Sequence, residues 1–233
     1  MSRDESRQVV RALLAGGLLS LAAAARLFAQ GDTELARRWD NPSLGLYVAL
    51  GLGRGRFEDF VESAAGFGGY VTLPTARGAL ALRADLSVLY HAFETWPWAP
   101  PIETKSYITS FRAGPQVAVG IGRVRVYGFG AGGFSYFATE AKVDAQCDCS
   151  FTTTLRDDWT WATEIGGGVR VALGRPPSAA ALDFAIRALR HSEATYVTQG
   201  DVTPNADGSF TLHPHRTQAH LLVIQLGVSG LGP

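Results

Sequence analysis

Eight segments of this chain alternate large apolar residues with small or polar ones at a period of two, which puts successive side chains on opposite faces of an extended strand. A helix needs apolar positions three and four residues apart, so the pattern commits the chain to an all-β fold. The first segment, 43–53, sets Leu44, Leu46, Val48, Leu50 and Leu52 against Gly45, Tyr47, Ala49, Gly51 and Gly53. The third, 79–93, sets Leu80, Leu82, Leu86, Val88 and Tyr90 against Arg83, Asp85, Ser87 and His91. In the fourth, 107–121, Phe111, Val117 and Val119 oppose Arg112 and Gln116; in the sixth, 159–173, Ile165, Val169 and Val171 oppose Glu164 and Arg170. The seventh, 182–191, opposes Asp183, Arg187 and His191 to Leu182, Phe184 and Ile186, and the eighth, 222–229, opposes Gln225 and Ser229 to Leu222, Ile224, Leu226 and Val228. The second, 65–73, is glycine-rich, and the fifth, 124–138, has aromatics at both parities, the trace a register-shifting bulge would leave. Neither of these two is assigned a face.

Alternation does not say which face meets solvent, because a soluble ligand-binding barrel alternates too, with its apolar side inward. Side-chain size separates the cases. The charged face here is also the small face, which suits the crowded lumen of a narrow barrel, while the Leu, Val, Ile and Phe face suits lipid. Trp96, Trp98, Tyr107, Tyr136, Trp159 and Trp161 gather near strand ends, where an interfacial aromatic girdle belongs. The connections alternate as well. Residues 74–78, 122–123 and 174–178 are short turns; 54–64, 94–106, 139–157 and 192–216 are long and polar. That order puts both termini on the short-turn, periplasmic side. A soluble periplasmic ligand-binding barrel is the dissenting fold.

Arg3, Arg7 and Arg11 precede an apolar stretch, ALLAGGLLSLAAAA, and then RLFAQ, which reads as a cleavable signal peptide over 1–29 with cleavage after Ala25 or Ala29. A polar lead over 30–42 and one barrel domain over 43–233 follow. With 21 basic and 21 acidic residues there is no basic field, so nucleic acid is not an expected partner. No apolar run after residue 30 is long enough for a spanning helix.

The signal peptide followed by glycine-punctuated amphipathic strands such as RAGPQVAVGIGRVRVYGFGAGGFSYF resembles the bacterial outer-membrane β-barrel domain family, OmpA-like and OmpX-like, over residues 41–229. The resemblance implies an eight-stranded antiparallel up-and-down transmembrane β-barrel. It also implies a monomer surrounded by outer-membrane lipid and inserted by the barrel-assembly machinery. Such families usually finish on an aromatic residue; this sequence reads GVSGLGP after Leu226.

On the inward face Arg83, Arg112, Arg170 and Arg187 meet Asp85, Glu164 and Asp183, with His91 and Gln116 beside them. Unpaired charges in a dry lumen cost several kcal/mol each, so a network of Arg–carboxylate pairs closing the barrel is expected. A structural or surface-interaction role, with the long loops meeting an extracellular ligand, is the leading reading, and a small pore for solutes is the next. A third is a lipid A-modifying enzyme using His191, Ser192 and Glu193, but neighbouring strand residues point to opposite faces, so no catalytic residue is assigned. Cys147 and Cys149 form a local disulfide or stay free in an oxidising compartment, and with His213, His215 and His220 they match no metal motif. No metal or other cofactor is expected.

Overall fold

Leu, Val, Ile and aromatic side chains at every second position favour pleated strands over helix, and each of the eight alternating segments is a strand. The structure, a computed structural model, describes residues 41–75, 79–96, 102–144, 150–173, 180–198, 200–205 and 209–231. The wall consists of β1 (Ser43–Arg54), β2 (Ser63–Pro74), β3 (Leu80–Trp96), β4 (Ile102–Ile121), β5 (Val124–Asp144), β6 (Ser150–Leu173), β7 (Ala180–Tyr196) and β10 (His215–Leu231). Between β7 and β10, β8 (Val202–Pro204) and β9 (Phe210–Leu212) form a separate two-stranded ribbon. Each wall strand pairs antiparallel with its neighbour in sequence, and β1 pairs with β10 from Ser43↔Leu231 to Arg54↔His220, closing the barrel. Closure leaves no unpaired sheet edge, the condition under which strands can cross a bilayer.

The apolar parity faces out. Val48 is 62% exposed, Val119 65% and Ile165 69%, while Arg83, Arg112 and Arg187 on the other parity are no more than 1% exposed. This is the reverse of a water-soluble barrel, which buries the first class and solvates the second.

Three strand pairs run further from the short turns than hydropathy indicates. Within 94–106, β3 reaches Trp96 and β4 starts at Ile102; β5 continues to Asp144 and β6 begins at Ser150. Likewise β7 extends to Tyr196 and β10 begins at His215. These extensions carry polar residues on both faces: Thr104, Ser106 and Thr139 inward, Glu103, Lys105 and Glu140 outward. A polar-on-polar strand leaves no hydropathy alternation, although its backbone ladder continues.

The expected register shift within 124–138 does not occur there. Arg125, Tyr127, Phe129, Ser135 and Phe137 all face inward in unbroken parity, and the irregularity against β6 lies beyond, between Thr139 and Glu140. Aromatics occur at both parities because Tyr127, Phe129 and Phe137 fill the lumen while Phe134 and Tyr136 coat the outside. In β2 the inward parity is Ala64, Gly66, Gly68, Tyr70 and Thr72.

The turn after β2 is closed by the Thr75 N–H donating to Leu80 O at 2.8 Å, with Pro74 still in the strand. Between β4 and β5, Gly122 has φ +56°, a left-handed turn position that costs a side-chain-bearing residue about 1–2 kcal/mol. The signal peptide, the lead up to residue 40, the turn at 174–178, Trp98, Cys147 and Cys149 lie outside the described residues.

Candidate functional site: the lumen and its external cap

Two carboxylates organise the lower and middle lumen. Asp183 on β7 accepts from Arg170 Nε at 2.9 Å, from the Tyr127 hydroxyl at 2.5 Å and from the Tyr70 hydroxyl. Asp85 on β3 accepts from Arg112 Nη2 at 2.8 Å, Arg187 Nη1 at 3.1 Å, Arg83 Nη2 at 3.2 Å and the Tyr47 hydroxyl at 2.7 Å. Asp85 and Arg112, like Arg170 and Asp183, are directly opposite on neighbouring strands, so the sheet register itself builds these pairs. Glu164 on β6 adds contacts at 3.4 Å to Arg112 Nε and 3.5 Å to Arg187 Nη1. Arg187 also donates to the Tyr47 hydroxyl at 2.9 Å, joining β7 to β1 and, through Asp85, to β3.

The tyrosines fit because the strands around them carry glycine. A Cβ at Gly45 would strike the Tyr70 ring, one at Gly68 the Tyr47 ring, and one at Gly168 would come within 2.6 Å of the Tyr127 hydroxyl. Arg83 lies over the Tyr70 ring at 3.9 Å and the Phe129 ring at 4.5 Å, so its guanidinium is held by cation–π contacts as well as by Asp85. Gln116 takes a long 3.4 Å hydrogen bond from Arg83.

The expected residues Arg83, Asp85, Arg112, Gln116, Glu164, Arg170, Asp183 and Arg187 thus meet in one inward assembly. His91 does not join it. The register against β4 shifts between Tyr90 and Ala92, and the His91 ring lies 6.3 Å from both Phe57 and Tyr196, in an apolar layer nearer the long connections. That layer also holds Val61, Leu89, Ile108, Phe137, Leu189 and Leu221. Phe57, from a 3-10 turn at Gly55–Phe57 after β1, is completely buried and drops from the connection into the barrel mouth. Hydropathy gives no sign of this cap, because Phe57, Phe60 and Val61 are interspersed with charged residues at no strand period. Tyr70, Tyr127 and Arg125 escape the sequence reading because the second and fifth segments carry no face assignment there. The signal that finds Arg125 and Tyr127 is the pair Val124 and Val126: with both outward, Arg125, Tyr127 and Phe129 all turn inward.

His191 is buried and faces the lumen, with Nδ1 against Ala219 O at 2.7 Å and Nε2 against Ser135 Oγ at 2.9 Å, whereas Ser192 is exposed. The two residues look in opposite directions and form no base–nucleophile pair. Of the girdle residues, Trp159 and Trp161 are strongly exposed on the outer face, Tyr136 packs on Trp159 at 4.8 Å and Tyr107 on Tyr90 at 5.8 Å. Trp96 ends β3, and its side chain is outside the described set.

Above the cap the long connections are tied together. Phe60 stacks on His215 at 4.0 Å, His215 Nε2 meets Asp201 Oδ2 at 3.0 Å, Asp201 accepts from the Thr198 N–H at 2.8 Å, and the Gly200 N–H donates to Glu94 at 2.6 Å. His213, His215 and His220 do not converge, and among the described residues no group of three His, Cys, Asp or Glu side chains is placed to hold a metal ion.

No family model and no curated protein matches the sequence. Among solved structures, the chain is similar to Neisserial surface protein A, with 12% identity, 82% of this chain and 97% of that one covered, and a TM-score of 0.46. It is also similar to Ail, the attachment invasion locus protein of Yersinia pestis, with 12% identity, 81% and 96% covered and a TM-score of 0.45. A major outer membrane protein from Thermus thermophilus gives 10% identity, 81% and 98% covered and a TM-score of 0.45.

Proposed function

We propose that this chain spans a bacterial outer membrane as a closed β-barrel and that its tethered external connections act as a contact surface. The observation carrying the membrane reading is the outward belt. Leu46, Val48, Leu86, Val119, Ile165, Phe184 and Leu226 are exposed on β1, β3, β4, β6, β7 and β10, while the charges along the same strands at the level of this belt, Arg83, Asp85, Arg112, Glu164, Asp183 and Arg187, face inside. Contiguous apolar surface of this extent is untenable in water, and in lipid it is what a spanning barrel needs. Export of the chain would use the signal peptide at 1–29.

Support for a closed lumen comes from two stacked obstructions, the Arg–carboxylate–tyrosine assembly and the apolar cap led by Phe57. Eight strands enclose little more than their own inward side chains, so solute passage has no evident path. Ligand contact then falls to the external connections, held on a rigid wall.

Two measurements test this. Barrel extracted in detergent is expected to migrate differently on a gel before and after boiling; no shift, together with recovery in the soluble periplasmic fraction, overturns the membrane reading. In planar bilayers the purified protein is expected to stay silent, and a steady single-channel conductance overturns the closed lumen.

A further inference from the structure

We infer that the outer wall of β1, β10 and β7 carries a binding site for the phosphate groups of a phosphorylated lipid headgroup, at the edge of the apolar belt nearest the long connections. The register supplies the site. Arg54 is paired with His220, and His220 with Arg190, so three basic residues stand side by side on neighbouring strands. All three have the outward parity, and Arg54 and Arg190 are exposed. One step further down the same strands the outward row is Leu52, Leu222 and Ala188, and the next is Leu50, Ile224 and Ile186. The boundary between hydrocarbon and headgroup chemistry therefore falls between these rows.

Immediately above lies a cleft of about 380 Å³ lined by Arg56, Glu193, Arg216, Thr217, Gln218 and His220. Within it Arg216 Nη2 meets Glu193 at 3.3 Å, and His220 Nδ1 is buried without a hydrogen-bond partner. Among the described residues Arg54, Arg56 and Arg190 make no ion pair, and Glu58, Asp59 and Glu62 on the β1–β2 connection make none with them. The opposite wall is different. There, on β4 and β5, the outward residues at the same end include Glu103, Lys105 and Glu140, with Glu140 occupied by the Tyr107 hydroxyl at 2.7 Å and Lys105 lying 3.9 Å from Glu103. Among the described residues, two exposed arginines without an ion pair, Arg54 and Arg190, thus flank His220 on this wall.

Arg54 and Arg190, two strands or about 10 Å apart across the sheet with His220 between them, suit a multivalent oxyanion that reaches both by charge-assisted hydrogen bonds. A position directly above an apolar wall selects an anion whose own acyl chains lie along that wall. A phosphorylated lipid meets both conditions, and a free phosphate meets only the first.

This inference rests on the membrane reading above, and its test keeps the two apart. Full-length barrel in neutral detergent is titrated with diphosphorylated lipid A or with phosphatidylcholine, and bound lipid is counted by native mass spectrometry. Every variant is first checked for the gel shift on boiling. Retained lipid A and little phosphatidylcholine are expected for the native chain. The Arg54→Gln/Arg190→Gln variant is expected to bind lipid A at least about tenfold more weakly, the size of one lost charged hydrogen bond, with the gel shift unchanged. An opposite-wall Lys105→Gln variant is expected to bind normally. Equal binding by the double variant, equal loss in Lys105→Gln, or displacement of lipid A by millimolar inorganic phosphate would each overturn the site while leaving the barrel in place. Loss of the gel shift in the native chain would instead count against the membrane reading.

Discussion

Asp85, only 1% exposed, is reached by Arg83, Arg112 and Arg187 and accepts from the Tyr47 hydroxyl as well. Removing it leaves three guanidinium groups facing one another with Glu164 as the nearest remaining carboxylate. The Asp85→Ala variant is expected to lose about 3–5 kcal/mol of folding stability, read by urea unfolding in lipid vesicles. Gln116 accepts one long bond, so Gln116→Ala should cost about 1 kcal/mol or less by the same measurement. If the two losses are similar, Asp85 is not the organising anion. The Arg and Asp members of this assembly were legible in the sequence because each stands alone at a small-face position between apolar neighbours. Tyr47 was legible as inward, but its partnership with Asp85 and Arg187 was not, since residues 38 and 140 positions apart meet only through closure.

At the level of the strand, the two faces obey opposite rules. The outward parity of β7 holds Leu182, Phe184 and Ile186, and its inward parity holds Asp183 and Arg187. Placing an arginine at Ile186, midway along the belt, exposes a charge to hydrocarbon rather than water. The Ile186→Arg variant is expected to lose about 2–4 kcal/mol in vesicles, while a water-soluble barrel would tolerate it with almost no loss; an unchanged unfolding midpoint would contradict the lipid-facing assignment. Strand existence and inward parity could be read for six of the eight segments because one face was apolar. Their true lengths could not, because Glu103, Thr104, Lys105 and Ser106 continue the ladder with no apolar face at all. The same blindness hid the run of β6 from Ser150 toward Trp159.

For the whole molecule, closure is the decisive event. It turns eight amphipathic ribbons into a wall with a greasy outside and a filled inside, and it raises the β8–β9 ribbon on a rigid rim. Since the barrel ladder runs from β7 directly to β10, replacing residues 202–212 with a short glycine-serine link should leave the boiling-dependent gel shift intact. Its disappearance would mean that the ribbon helps to hold the wall. The sequence by itself determined the strand class, the antiparallel order through alternating short and long connections, and the inward position of most of the lumen charges. All three follow from local periodicity. Only the tertiary structure decided which charges meet, that His91 leaves the ionic layer for the apolar one, that Phe57 caps the mouth, and that Arg54, His220 and Arg190 line up on one wall. Those outcomes depend on register and on bulges such as the one between Gln218 and His220. Register is set by the sum of pairings around a closed ring, a quantity no single segment of the chain contains.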